Sequence, residues 1–295
     1  MKRLEYFAPN NIGEALQLLD IHRDKAKVLA GGTDLLVQMN NNEINPSYLV
    51  DLKKINDLAG INYIPNEGLR LYPLTTISDI ESSEFITEKF SILSDAAKTI
   101  GSVQIRNRAT VGGNLCRAAP SADLAPALFV LEAQLKIRGI KSEKTVPIQN
   151  FFIGPGKTIL KYNEILTEVI IPNPPSLSFG VYLKHGPRQA MDLATVGIAV
   201  LIVFAPINHT CESAKIALAS VAPTPLRAKA AEKVLVGEKI NQLIIDEAAK
   251  VASEEVHPVT DVYGSEWYKR DIIAVYVKRA IKRVLARVKD QENEA

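Results

Sequence analysis

Two diglycine steps constrain this chain more than any other feature. One lies in Ala30-Gly31-Gly32-Thr33-Asp34, between a β-prone run at 27–30 and a helical stretch at 34–39. The other lies in Thr110-Val111-Gly112-Gly113-Asn114, after a helix and a connecting segment. Glycine reaches positive φ and carries no Cβ, so backbone N–H groups can approach a ligand closely. Successive N–H groups in such a turn form a nest for an anion. Thr33 and Thr110 add hydroxyl donors and Asn114 adds an amide donor. Two facing loops of this kind hold two phosphates without a lysine. Each diglycine alone is weak evidence, since a Gly-Gly after a strand is more often just a turn, so the residues by themselves leave turn and anion site both open.

Other nucleotide and metal signatures are missing. No G-x-G-x-x-G occurs, and Gly156-Lys157-Thr158 fails as a phosphate loop because Phe151 stands where the first glycine belongs. The four histidines, His22, His185, His209 and His257, show no ligand spacing, so no metal site is expected. Cys116 and Cys211 are the only two cysteines, too few for an iron–sulfur cluster on this chain. They suit a reduced, cytoplasmic protein. Lys and Arg number 35 against 33 Asp and Glu, which argues against a nucleic-acid binder. Lys278, Arg279, Lys282, Arg283 and Arg287 read as the solvated side of an amphipathic helix. The longest apolar run, 194–207, is about 14 residues and too short to span a bilayer. The N-terminus shows no apolar signal region. No catalytic triad or carboxylate pair is visible, so no catalytic residue is expected.

The order of elements indicates an α+β fold. Asn11 caps a first helix, with Glu14 at the capping-box position. Strands are expected at 27–30 and 48–52, and a hairpin at 61–72 around Pro65-Asn66-Glu67-Gly68. Helices are expected at 77–82, 91–100 and 123–131, and strands at 134–137 and 164–171. Pro172-Asn173-Pro174-Pro175-Ser176 is the best linker. Beyond it come three strand segments, 180–184, 194–204 and 214–220, then helices at 225–235, 241–255 and 265–288. The division expected is residues 1–175, with lobes of about 1–57 and 58–175, then a domain at 176–288 and a polar, frayed tail at 289–295.

The strings KVLAGGTDLL, SVQIRNRATVGGNL with SADLAPAL, NEILTEVIIP, YLKHGPRQAMDLATVGIAV and SVAPTPLRA occur in this order. Together they closely resemble the FAD-binding medium subunit of the molybdenum hydroxylases, the xanthine dehydrogenase, carbon monoxide dehydrogenase and aldehyde oxidoreductase relatives. The resemblance runs from about residue 3 to about residue 286. It implies a two-lobed FAD-binding domain of the vanillyl-alcohol-oxidase (PCMH) type, followed by a smaller α+β domain with a three-stranded sheet plus helices.

The same resemblance implies the site. Val28, Leu29, Ala30, Gly31, Gly32, Thr33, Asp34 and Leu35 correspond to the first diphosphate loop, and Thr110, Val111, Gly112, Gly113 and Asn114 to the second. Asp123 corresponds to an acidic residue at the nucleotide end of the cofactor, Leu166 to an apolar residue beside the flavin or its dinucleotide arm, and Lys184 to a lysine near the flavin ring. Without the resemblance, Asp123 reads as a helix cap, Lys184 as an edge-strand gatekeeper and Leu166 as core. Asp192 reads as a structural partner of Arg188. The function implied is electron transfer: FAD receives electrons from [2Fe-2S] clusters on a small subunit and passes them to an external acceptor, NAD among them. Molybdopterin would sit on a large subunit, in a dimer of heterotrimers. The alternative is a stand-alone FAD-dependent oxidoreductase with its own substrate pocket, for which no cap domain with clustered acid–base residues is visible.

Overall fold

The computed structural model describes residues 4–188, 190–207 and 209–294. The start of the resemblance at residue 3, Gln189 inside a matched string, and Ala295 of the expected tail lie outside the described residues. In chain order the elements are β1 (Glu5–Phe7), α1 (Ile12–His22), β2 (Ala26–Leu29), α2 (Leu35–Asn40), β3 (Tyr48–Asp51), β4 (Ile61–Ile64) and β5 (Gly68–Leu71). Helices α3 (Ile77–Ser82), α4 (Glu84–Lys89), α5 (Ser91–Lys98), α6 (Val103–Arg106), α7 (Val111–Arg117) and α8 (Leu124–Val130) follow. Strands β6 (Gln134–Arg138), β7 (Glu143–Pro147), β8 (Phe152–Gly154), β9 (Lys157–Thr158) and β10 (Ile165–Ile171) come next. The chain ends with β11 (Ser178–His185), β12 (Val196–Phe204), β13 (Cys211–Ala219), β14 (Leu226–Arg227), α9 (Lys229–Leu235), α10 (Gln242–Glu254) and α11 (Glu266–Glu294).

The chain divides into two compact units. The first comprises residues up to Ile80, Ser102–Ala118 and Ala133–Asn173. The second comprises Glu81–Gly101, Ala119–Glu132 and the chain from Pro174 onward.

The first unit contains a parallel three-stranded sheet, β1-β3-β2, and an antiparallel five-stranded sheet, β4-β5-β10-β6-β7. Helix α1 starts as its sequence dictates: the Asn11 side chain accepts from Glu14 N–H at 3.0 Å. Glu14 returns the bond to the main chain at Asn10, 2.9 Å away. Its Ala15, Leu16 and Leu19 then bury against Ala26, Val50 and Leu52. The hairpin forms with Ile61 opposite Leu71.

The second unit is built on the antiparallel sheet β11-β12-β13-β14. All nine residues of β12 are buried, as a continuous apolar run demands when both faces of a strand are covered. Val196, Ile198, Val200 and Ile202 join one core with α9, α10 and α11. The intervening residues face the opposite layer, where α8 packs on β12 and α5 on β11.

Three local expectations change. Strand β14 falls inside the stretch 225–235 read as helix, because Leu226 and Arg227 pair with Leu218 and Ala217 of β13. The sheet therefore has four strands, and α9 starts at Lys229. Helix α11 runs on to Glu294, so the polar stretch after residue 288 continues the helix. The second diglycine lies inside α7 and makes no turn.

Ile281 of α11 is completely buried in the second unit's core. Ile281→Ala should destabilise the protein by about 2–5 kcal/mol, read as a lower denaturation midpoint. Asn241 caps α10, accepting from Leu243 and Ile244 N–H at 2.9 and 3.1 Å, and Asn241→Ala should cost only about 1 kcal/mol in the same measurement.

Candidate functional site

The first diglycine turn joins β2 to α2, and each glycine has its own reason. A Cβ on Gly31 would lie 2.0 Å from the Arg108 carbonyl oxygen. Gly32 takes φ +80°, the left-handed region. The turn leaves a run of donors: among the described residues, no protein acceptor takes the main-chain N–H of Gly31, Gly32, Thr33, Asp34 or Leu35. Such a row of oriented N–H groups is an anion nest. Val28 lies on β2 exposed, while Leu29 is buried beneath the turn. Behind the turn, Lys53 Nζ lies 2.8 Å from Asp51 Oδ2 and 3.4 Å from the Ala30 carbonyl. This places a lysine beside a loop that the sequence read as needing none.

The second motif is organised differently. Thr110 is the N-cap of α7 and its Oγ accepts from Gly113 N–H at 3.1 Å. A Cβ on Gly112 would lie 2.5 Å from Pro73 Cβ. The N–H groups of Val111, Gly112 and Asn114 donate to Thr75, Pro73 and Thr110 carbonyls. All four N–H groups from Val111 to Asn114 are thus engaged, and no backbone nest exists here. The expectation of two equal nests is corrected accordingly: closing the helix consumes the donors. What remains are side chains, and the Asn114 Oδ1 atom is buried with no partner.

The two motifs are neighbours within the first unit. Gly31 lies against the Arg108–Ala109 peptide, directly before Thr110. Asp34 of the first loop pairs with Arg117 at the end of α7. Leu166 is buried on β10, opposite Ile137 of β6, and α7 packs on the same strand.

Asp123 and Lys184 lie in the second unit and touch each other. Lys184 Nζ donates to Asp123 Oδ2 at 2.9 Å and to the Thr99 carbonyl at 3.0 Å. The Tyr182 hydroxyl donates to Asp123 Oδ1 at 2.7 Å. Asp123 stands at the start of α8 but makes no capping bond, which removes the plain-cap reading. Burial pushes the Asp123 carboxyl above the usual carboxylate range, with Lys184 and Tyr182 pulling it back. Burial, reinforced by the Asp123 charge, pushes the Tyr182 phenol well above its usual range, so it remains a donor. The contact brings together two residues expected at different parts of the cofactor, Asp123 at its nucleotide end and Lys184 near the flavin ring, 2.9 Å apart.

Sequence reasoning missed Tyr182, Thr99, Lys53 and Arg117. A signal for Tyr182 was present: it sits two residues before Lys184 on a strand, hence on the same face. Arg188 and Asp192 pair as expected. Among the described residues, no group of three or more His, Cys, Asp or Glu is arranged to hold a metal.

Residues 2–174 match the family model described as the FAD binding domain in molybdopterin dehydrogenase. Residues 181–284 match the CO dehydrogenase flavoprotein C-terminal domain. The chain is 34% identical to the carbon monoxide dehydrogenase medium chain of Hydrogenophaga pseudoflava, covering 97% of this chain and 98% of that one. It is 30% identical to the xanthine dehydrogenase FAD-binding subunit of Escherichia coli O157:H7, covering 95% and 96%. Among solved structures, a chain of the H. pseudoflava carbon monoxide dehydrogenase lacking the Mo-pyranopterin moiety aligns with TM-score 0.92 at 34% identity, covering 97% and 98%.

The support behind the first loop is testable through pH. Burial opposes ionisation of Asp51, but hydrogen bonds from Lys53 and Tyr6 outweigh it and hold the carboxyl below its ordinary 3.8. A lowered folded value contributes stability that is present above the ordinary value and lost as pH falls through the lowered one. Asp51→Asn should therefore destabilise the protein at neutral pH, and its deficit should shrink as pH drops below about 4. Denaturant titrations of both proteins across that window measure it.

Proposed function

Since the chain belongs to the family of FAD-binding medium subunits of the molybdenum hydroxylases, with FAD as its cofactor, we propose that it is the electron-transfer subunit of a multi-subunit molybdenum-containing hydroxylase. In this reading a large molybdopterin subunit oxidises the substrate and the [2Fe-2S] clusters of a small subunit deliver electrons to this chain. The chain passes them to an external acceptor such as NAD, within a dimer of heterotrimers. Relatives named as medium chains and FAD-binding subunits support the partnership. Free Cys116 and Cys211 suit a cytoplasmic setting. Separate family matches at 2–174 and 181–284 support taking residues 1–175 as the FAD-binding domain and 176–288 as the C-terminal domain.

The observation that carries the cofactor reading is the open row of N–H groups from Gly31 to Leu35, together with the buried, unpartnered Asn114 Oδ1 in the neighbouring motif. The donor row suits a diphosphate, and the lone acceptor suits a hydroxyl of a sugar or ribityl chain. We assign residues 28–35 and 110–114 to this grip, with Leu166 supplying apolar surface. In the second unit, Asp123 and Lys184 are assigned to the flavin end, where a carboxylate accepts and an ammonium donates. FAD, when bound, supplies both one- and two-electron redox chemistry. The side chains bind, orient and set charge, and none is required as a nucleophile or general base.

A purified chain should retain FAD, seen as oxidised-flavin absorbance that bleaches when the assembled complex meets its substrate. Gly32→Val forces a β-branched residue to φ +80° and should weaken FAD binding roughly ten-fold or more. Gly113→Val, whose Cβ would meet Thr110 Oγ at 2.9 Å, should act in the same direction. A folded wild-type chain without FAD affinity would sink the reading; FAD retained undiminished by both variants would sink the loop assignment.

A further inference from the structure

We propose that Tyr182 is a positioning residue of the cofactor site: its hydroxyl fixes the Asp123 carboxylate, which in turn aims the Lys184 ammonium, and Gly197 exists to make room for that hydroxyl. This rests on the FAD reading above and adds residues that no loop motif contains.

The geometry follows from strand periodicity. On β11, Val181 and Leu183 join the core with the C-terminal helices. Tyr182 and Lys184 therefore point to the other face. On β12, Gly197 lies directly opposite Lys184, and Ala199 opposite Tyr182. A Cβ on Gly197 would lie 2.6 Å from the Tyr182 hydroxyl oxygen. Gly197 does not take a positive φ, so space, and not backbone conformation, explains the glycine. Into that space goes a phenol that is 4% exposed.

The hydroxyl reaches Asp123 Oδ1 at 2.7 Å, leaving Oδ2 for Lys184 at 2.9 Å. The Thr99 carbonyl takes a second ammonium proton at 3.0 Å. An ammonium has three donors, so one remains. Two anchors thus hold Lys184 in a single direction, and one of them depends on Tyr182.

The other charged groups near Asp123 are few. Helix α8 carries no titratable side chain from Leu124 to Val130, and β12 none from Val196 to Phe204. On α5, Asp95 is tied to Arg287 and Lys98 is exposed. Asp192, which feels the Lys184 charge, is held by Arg188. On β13 and β14, which also pack on α8, Lys215 is paired with Glu132 and Arg227 with Glu232, and His185 of β11 bonds the Tyr268 and Tyr276 hydroxyls, so the acid titration of this cluster is assigned to Asp123.

The test measures the FAD dissociation constant of the full chain against pH, by flavin fluorescence. Wild type should lose affinity on the acid side as Asp123 takes a proton. Tyr182→Phe keeps the ring but removes the donor to the carboxylate, so Asp123 protonates more readily. Its acid limb should move up by about one pH unit. Gly197→Ala should move the limb in the same direction with the phenol still present, and Asp123→Asn should abolish it.

An acid limb shared by wild type and Tyr182→Phe overturns the proposal, as does a limb that survives in Asp123→Asn or is missing from wild type. FAD binding at neutral pH in any of these cases leaves the cofactor reading standing, whereas no binding by wild type removes that reading itself. Should Tyr182→Phe fail to fold, Gly197→Ala decides alone by the direction of its shift.

Discussion

The Arg108 carbonyl oxygen stands 2.0 Å from where a Gly31 side chain would begin, and the organisation of the first unit's site depends on that approach. Backbone meets backbone there, so the first loop is registered on the peptide that leads into Thr110 with no flexible side chain between them. The positive φ of Gly32 then turns the chain, and α2 begins with its Leu36 N–H bonded to Gly32 O at 3.1 Å. The five preceding N–H groups are left open by this sequence of constraints. A loop pinned by van der Waals contact loses little further entropy when it takes up an anion, which is the physical meaning of preorganisation.

The second motif looks alike in sequence and works by another principle. Its glycines allow α7 to start hard against Pro73, and every N–H from Val111 to Asn114 is used in doing so. Local sequence could not separate these cases. Both motifs present Gly-Gly flanked by threonine, and the difference lies in what packs behind them, Arg108 in one case and Pro73 in the other. Those neighbours are brought by the β5 and α6 segments, about 40 and 75 residues away from the glycines they meet in the least local case, and no periodicity reports them.

Elements with strong local signals were legible. Asn11 and Glu14 cap α1 as their spacing implies, and the 194–207 run contains the fully buried β12. Residues 225–235 misled because Pro225 imitates a helix start, while the free edge of β13 recruits Leu226 and Arg227 as a strand. The polar composition after residue 288 suggested fraying, yet good helix formers simply continue α11. Asp123 and Lys184 were named, but their direct contact was not, because they are far apart in sequence and meet only where the start of α8 packs on the sheet that carries β11.

Burying an aspartate and a lysine is expensive, and such a pair is weak support for a fold. A comparison within the second unit sets this pair apart. Glu232 is also buried, but its Oε1 accepts from Ile216 N–H at 2.9 Å and from Arg227 Nε, and its Oε2 from Arg227 Nη2 at 2.8 Å. That carboxylate is closed by a main-chain bond and a bidentate fork, as a structural pair should be. Asp123 receives one phenol and one ammonium, and Lys184 keeps a donor in reserve. A buried pair that stops short of saturating itself keeps hydrogen-bonding capacity where desolvation makes each bond strong. Beside it Gly197, whose missing side chain leaves room for the Tyr182 hydroxyl, provides the geometry that the proposed positioning of Lys184 requires.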